Sequence, residues 1–96
     1  MKILVVEDEK NTARFLQRGL REEGFVVDLA FTGAEADLAV SDQDYDAILL
    51  DVMLPGSDGF ELCRRWRQRG MHAPILFVTA RDALTDRIEG LNLGAD

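Results

Sequence analysis

The sequence predicts an α/β fold: a doubly wound parallel sheet in which four strands alternate with four helices within a single domain, residues 1–96. Three observations predict this fold. Short apolar runs recur along the chain, amphipathic segments separate them, and glycine or proline stands at several junctions. Because parallel strands are joined by right-handed crossovers, helices should cover both faces of the sheet.

The first half of the chain predicts two strand–helix units. Residues 3–6 form a continuous β-branched run, typical of a strand buried on both faces. Residues 10–23 repeat apolar side chains at helical spacing and stop before Gly24, a common residue just past a helix end. Residues 25–30 predict the second strand, and Thr32 begins a second helix with a capping-box pattern.

The second half predicts two more units. Residues 46–50 form the third strand, and Asp58 begins a third helix that should turn Phe60, Cys63 and Trp66 or Arg67 toward the core. Pro74 opens the fourth strand, residues 75–78. The fourth helix is predicted from the spacing of its apolar residues, Leu84, Ile88 and Leu91.

Composition narrows the class of protein. The net charge is −7, so the surface should not bind nucleic acid or anionic lipid, both of which need clustered cations. The single cysteine, Cys63, excludes an internal disulfide and suggests a reducing compartment. No signal peptide is evident and no apolar stretch approaches the roughly 20 residues of a membrane span, so a cytoplasmic location is expected.

Acidic side chains follow two of the predicted strands. Glu7 and Asp8 come after the first strand and Asp51 after the third, and Thr79 ends the fourth. Ligands of doubly wound sheets bind at the carboxyl ends of the strands, so these groups should converge. Clustered carboxylates repel and need a proton or cation, and oxygen ligands favour Mg²⁺.

Each of these residues also has a structural interpretation. Asp51 alone could be a turn or cap residue, and Glu7 and Asp8 could belong to a solvated acidic turn near a helix start. Thr79 suits strands and helix caps. The four arginines of the third helix are interpreted as a solvated face, with an acidic partner as the alternative: Arg64, Arg65, Arg67 and Arg69.

Four motifs together resemble the receiver domain of two-component response regulators: "KILVVEDE", "AILLDVMLPGSDGFEL", "PILFVTA" and "GLNLGAD". They span the chain in the order of that family, and "DVMLPGSDG" with "GLNLGAD" is similar to the winged-helix transcription-factor subclass. The resemblance implies a flavodoxin-like sheet and a phospho-accepting signalling module rather than an enzyme. Its partner would be a sensor histidine kinase, and its output would be control of transcription.

The resemblance also implies residue roles. Asp51 matches the phosphoacceptor and Thr79 the switch hydroxyl that turns toward the phosphate. Asp8 and Asp51 match the Mg²⁺ ligands, Met53 would add its backbone carbonyl, and Glu7 would act through water. Phosphoryl transfer depends mainly on positioning and charge neutralisation, which such a site supplies.

The sequence departs from the family pattern at its end. It stops at Asp96, so the fifth strand–helix unit, a phosphate-contacting lysine and the DNA-binding domain are expected to be missing. Phosphotransfer should then be weakened. The free edge of the fourth strand should favour a domain-swapped or edge-to-edge homo-oligomer.

Three rival functions differ from this one in the residues that they require. A Mg²⁺-dependent phosphohydrolase of the haloacid-dehalogenase type would need a second aspartate where Met53 stands. A nucleotide- or flavin-binding domain would need a glycine-rich loop after the first strand, where this chain has acids. A module that folds and associates without phosphorylation is the remaining alternative, and it predicts a fold without Mg²⁺ affinity.

Overall fold

The computed structural model of the chain describes residues 1–78, which contain six strands and three helices. The predicted fourth helix and Thr79 lie outside this range. The strands are β1 Lys2–Val6, β2 Val26–Ala30, β3 Ala47–Asp51, β4 Met53–Leu54, β5 Ser57–Asp58 and β6 Ile75–Val78, and the helices are α1 Lys10–Glu22, α2 Gly33–Asp42 and α3 Gly59–Gln68.

The main sheet is parallel and has the strand order β2-β1-β3-β6, which confirms the predicted doubly wound fold. The chain runs outward from β1 to β2 and then crosses to β3 on the other side of β1. Strand order therefore reverses between β1 and β3, and ligands of such sheets bind at the carboxyl ends next to this reversal. The residues that follow Val6 and Leu50, which are paired in register, meet at this place.

Each face of the sheet packs on its own helices because successive strand side chains point to opposite faces. Ile3, Val5 and Val27 face α1 and pack against Leu16 and Leu20. On the other face, Leu4, Val6, Ile48, Leu50 and Phe77 pack with residues of α2 and α3, among them Ala36, Leu62, Cys63 and the fully buried Trp66.

The ends of the elements follow the predicted caps with small shifts. The backbone N–H of Glu35 donates to Thr32 Oγ1 at 3.1 Å, and Gly24 adopts φ +92° just past α1. Phe25 was wrongly assigned to the second strand, because its N–H still bonds to Leu20 O of α1. The third strand begins and ends one residue later than predicted, so Asp51 is its last residue, paired in register with Val78 of β6.

The short antiparallel hairpin of β4 and β5, residues 53–58, was not predicted. Pro55 and Gly56 form its two-residue turn, where proline fixes φ and Gly56 takes φ +71°. The hairpin connects Asp51 directly to the start of α3. Asp58 closes it and also caps α3, accepting a hydrogen bond from Phe60 N at 2.9 Å.

The interpretation of the α3 arginines as a solvated face was partly wrong. Arg65 pairs with Asp37 of α2 at 2.7 Å, and Trp66 Nε1 donates to the other oxygen of that carboxylate at 2.8 Å. Arg67 donates to the carbonyls of Met71 and Ala73. Arg64, which pairs with Glu61 on the surface, remains exposed as predicted.

Replacing Asp37 by alanine should destabilise the protein by about 2 kcal/mol, because the buried Trp66 N–H then loses its acceptor and Arg65 its partner. Chemical unfolding measures this loss. Asp42→Ala, an exposed change on the same helix, is the matched control and should cost much less. Equal stability of the two variants would contradict the role of Asp37 as the link between α2 and α3.

No helix within residues 1–78 has the length and the hydrophobicity that a membrane span requires.

Candidate metal centre

Parallel pairing of β1 with β3 brings the predicted acids together. Glu7 directly follows β1, and Asp51 ends β3 one position beyond the pair Val6–Leu50. One carboxylate oxygen each from Glu7, Asp8 and Asp51 lies within 4.8 Å of the others. The prediction that these three side chains converge at the carboxyl edge of the sheet is therefore confirmed.

Two of the three carboxylates are nearly removed from solvent. Glu7 is 6% exposed and Asp51 is 8% exposed, whereas Asp8 is exposed. Buried carboxylates are stable only when a proton, a cation or hydrogen-bond donors compensate the charge. Three oxygen donors from one exposed and two buried acids form a set that suits a hard divalent cation such as Mg²⁺.

Backbone hydrogen bonds hold both buried carboxylates. Met53 N donates to Asp51 Oδ1 at 3.0 Å, and Glu9 N donates to Glu7 Oε2 at 3.0 Å. The Glu7 backbone is itself fixed by a 3.0 Å bond from its N–H to Ala30 O of β2. The side chains are thus positioned by the sheet and by the first residues of the hairpin, and no hydrogen bond or ion pair from a cationic side chain to them is found within residues 1–78.

The start of α3 packs directly on the Asp51 main chain. Gly59 N donates to Val52 O at 3.1 Å, and a Cβ on Gly59 would overlap the Asp51 carbonyl oxygen and lie 2.8 Å from Val52 Cα. Sequence reasoning gave Gly59 no role beyond its place in the capping pattern. Gly59 supports the site through packing, since only a residue without a side chain allows the start of α3 to come this close to the Asp51 main chain.

The pKa of Glu7 is raised from 4.5 to about 7, mainly because the side chain is buried; the Glu9 N–H opposes this change, and the nearby Asp51 and Asp8 carboxylates add to it. A proton on Glu7 therefore relieves charge repulsion in the metal-free cluster. Metal binding would compete with this proton, because a cation and a proton neutralise the same charge.

The stability of the metal-free protein should consequently fall as the pH rises from about 4.5 to about 7. The folded state holds a proton on Glu7 that the unfolded state has already released in this window. The stabilising contribution, at most about 3 kcal/mol, is complete below pH 4.5 and is lost as the pH passes the folded pKa. Urea unfolding across this pH range measures it.

Glu7→Gln is the matched control, since it keeps the side-chain volume and cannot titrate. The difference in unfolding free energy between the wild type and this variant should change over the window. A difference that is constant with pH would show that Glu7 has an ordinary pKa.

The predicted roles of two other site residues, Met53 and Thr79, stay predictions. Met53 is 55% exposed in β4, and its backbone N–H donates a hydrogen bond to Asp51. A backbone role for Met53 is compatible with this arrangement, whereas the carbonyl ligation itself stays a prediction. The role of Thr79 also stays a prediction, because this residue lies beyond the described range.

Comparison with known proteins agrees with the resemblance that the sequence motifs show. The family model described as "Response regulator receiver domain" matches residues 3–96. Over 96 residues the chain is 54% identical to the transcriptional regulatory protein TcrA of Mycobacterium tuberculosis. The aligned region covers all of this chain and 38% of TcrA. The chain therefore corresponds to less than half of that regulator.

Solved structures show the same fold. The receiver domain of the Francisella response regulator 1452 superposes with a TM-score of 0.88 at 35% identity, covering 99% of this chain and 78% of that one. The response regulator TrrA of Thermotoga maritima, solved in complex with Mg²⁺ and BeF, gives a TM-score of 0.86 at 35% identity, covering 99% and 81%.

Proposed function

The chain belongs to the response regulator receiver domain family, and from this premise we propose that Asp51 is its phosphoryl acceptor. In our proposal Asp8 and Asp51 hold Mg²⁺ with the Met53 carbonyl, and Glu7 contributes through water. The observation that carries the proposal is the cluster of Glu7, Asp8 and Asp51, with oxygens within 4.8 Å at the switch point of the sheet.

The proposed reaction is a transfer between two side chains. An Asp51 carboxylate oxygen attacks phosphorus in the phosphohistidine of a sensor kinase, the P–N bond breaks, and the electron pair leaves with the imidazole. The product on this chain is an acyl phosphate. Mg²⁺, when bound, neutralises charge on the phosphoryl oxygens.

The residues of this chain provide the positioning. The Met53 N–H fixes one Asp51 oxygen, and the Gly59 contact holds the Asp51 main chain against α3. A carboxylate restrained in this way loses less conformational freedom on reaching the in-line geometry. Burial of Asp51 also limits the access of water to the acyl phosphate.

Further parts of the proposal concern the whole protein. Thr79 would donate its hydroxyl to the phosphoryl group, and the longer protein would control transcription through a DNA-binding segment outside this sequence. TcrA, which is named a transcriptional regulator and is longer than this chain, supports that output. A cytoplasmic location is part of the proposal, and a sequence with Cys63 as its single cysteine suits a reducing compartment.

The test is intact mass spectrometry after incubation with Mg²⁺ and a small phosphodonor such as acetyl phosphate. We expect a mass increase of one phosphoryl group, located by peptide mapping on the peptide that contains Asp51, and none when a chelator removes Mg²⁺. A folded chain that binds Mg²⁺ and forms no adduct would contradict the acceptor role. Absence of both Mg²⁺ binding and adduct would favour the non-phosphorylating module.

The outer edge of β6 supports a second proposal, self-association. In the part of the chain that the structure describes, β6 pairs with β3 on one side and with no strand on the other. Unpaired strand edges pair readily with other chains. The apparent mass in light scattering should therefore rise with concentration, and a constant monomer mass at the highest attainable concentration would refute this proposal.

A further inference from the structure

The start of α2 packs directly on the hairpin of residues 53–58. A Cβ on Gly33, the first residue of α2, would overlap Ser57 Oγ and lie 2.9 Å from Ser57 Cβ. The same Cβ would lie 3.5 Å from Leu62 Cδ1 of α3, which is an ordinary contact distance. This contact forms just beyond the carboxyl end of β2, at the edge of the parallel sheet that also holds the acidic cluster.

The backbone conformation of Gly33 does not require glycine. Among the glycines of residues 1–78, Gly24, Gly56 and Gly70 have a positive φ, and Gly33 does not. Alanine also favours helices more than glycine does. The close approach of Ser57 is therefore the structural reason for a residue without a side chain at this position.

The contact extends to the hydrogen bond that orients Asp51. In the hairpin, Ser57 pairs with Leu54, in the short strand that begins with Met53. Met53 N donates to Asp51 Oδ1 at 3.0 Å. A displacement of Ser57 would move β4 as well, and with it the N–H that holds the acceptor carboxylate.

Of the two partners in this contact, α2 is the more rigid. A capping box fixes its start, since Phe31 N donates to Glu35 Oε1 at 3.0 Å and Glu35 N donates to Thr32 Oγ1 at 3.1 Å. Ala36, in the same turn, is fully buried. The hairpin has two residues in each strand, and a hairpin of this size is at best marginally stable by itself. An atom inserted between the two would displace the hairpin rather than α2.

We propose that Gly33 is a positioning residue that holds Asp51 ready for phosphoryl transfer. Because the start of α2 carries no side chain, the hairpin packs at the position from which the Met53 N–H reaches the acceptor carboxylate. In this role Gly33 acts through Ser57 and the hairpin, and not by contact with the reacting atoms. The inference rests on the proposed function of Asp51 as the phosphoryl acceptor.

The experiment measures adduct formation in Gly33→Ala with Mg²⁺ and acetyl phosphate, per folded molecule. The Ser57 hydroxyl can rotate away from the added methyl group, whereas Ser57 Cβ cannot move without the main chain. A misplacement of about 1 Å costs about a hundredfold in rate, so a shift of about half that size should slow formation about tenfold. The half-life of the acyl phosphate should also shorten, because a displaced hairpin gives water easier access to Asp51.

These two kinetic effects distinguish positioning from a general effect on folding. A loss of stability alone changes neither quantity when each is expressed per folded molecule, and circular dichroism with urea unfolding gives the folded fraction. Gly19→Ala is the matched control, since a Cβ at Gly19 meets no atom within 4 Å, and it should change neither the rate nor the half-life.

Substitutions of Ser57 test the contact itself. Ser57→Ala removes only Oγ, so Gly33→Ala/Ser57→Ala keeps the 2.9 Å contact between the two Cβ atoms and should recover part of the rate. Ser57→Gly removes both atoms, so adding Gly33→Ala to it should change the rate by less than about twofold. An equal loss on all three backgrounds would overturn the proposal. If Gly33→Ala does not fold on its own, the difference between the two double variants carries the test.

A measurement without a phosphodonor separates this inference from the proposed function. In a two-dimensional amide NMR spectrum, the Met53 amide reports its hydrogen bond to Asp51 Oδ1. Its proton shift should change in Gly33→Ala and return in Gly33→Ala/Ser57→Gly. If the wild type formed no adduct, the proposed function would fail, and this pattern would still decide whether Gly33 positions Asp51. An unchanged Met53 amide in Gly33→Ala would overturn the inference.

Discussion

Asp51→Asn is expected to abolish the phosphoryl adduct completely. The amide nitrogen that replaces one carboxylate oxygen is not a nucleophile toward phosphorus, and the neutral side chain is a weaker metal ligand. Intact mass after incubation with Mg²⁺ and acetyl phosphate measures the effect. Adduct formation by this variant at the wild-type rate would place the acceptor elsewhere.

The same substitution should have a second effect that a purely catalytic residue would not show. Removing the Asp51 charge relieves its repulsion with Glu7, so the pKa of Glu7 should fall toward its ordinary value. Because this repulsion is relieved, the metal-free variant should be more stable than the wild type at neutral pH, by about 1 kcal/mol. Urea unfolding in a chelator measures this gain.

Two variants separate metal binding from phosphoryl acceptance, and a local charge effect on stability from an effect of net charge. Asp8→Asn removes a proposed metal ligand but leaves the acceptor, so the adduct should form only at raised Mg²⁺ concentration. Asp44→Asn changes net charge equally at an exposed position on the opposite end of the sheet, between α2 and β3, and should change neither the adduct nor the pKa of Glu7. If Asp44→Asn stabilised the protein as much as Asp51→Asn, the gain would come from net charge alone.

The acidic site could be predicted from the sequence because it depends on strand ends. The buried runs before Glu7 and Asp51 identify two strands, and parallel strands that flank a reversal place their carboxyl ends together. The sequence pattern does not show how negative charge and protons are shared among the three carboxylates. The raised pKa of Glu7 depends on its burial, and burial at the end of a strand depends on the packing around it.

The sequence was least informative between Asp51 and α3. Strands of two residues are too short to show a periodic pattern. The Pro55–Gly56 pair is therefore the only sequence signal of the hairpin of residues 53–58. The pairing of Asp37 with Arg65 and Trp66 also escaped prediction, because it joins residues of two helices that lie 28 and 29 positions apart in sequence. Contacts of this type depend on tertiary packing, which local patterns do not specify.

Gly59→Ala is expected to destabilise the protein by about 3 kcal/mol and to reduce phosphorylation strongly. The added Cβ would overlap the Asp51 carbonyl and the Val52 Cα, and these are backbone atoms that cannot rotate away. Either α3 must move or the end of β3 must shift, and the latter displaces Asp51 from Glu7 and Asp8. A displacement of about 1 Å at a reacting group can slow a reaction by about two orders of magnitude.

Gly19→Ala is the matched control because it is also a glycine-to-alanine change within a helix. A Cβ at Gly19 meets no atom within 4 Å, so this variant should gain the helix propensity of alanine, about 0.5–1 kcal/mol, and phosphorylate normally. Both variants receive a propensity benefit of the same sign, and the difference between them therefore isolates the contact with Asp51. Equal stability of the two variants would contradict the packing of α3 on the acceptor strand, whereas a destabilised Gly59→Ala with a normal phosphorylation rate would show that α3 yields and Asp51 stays in place.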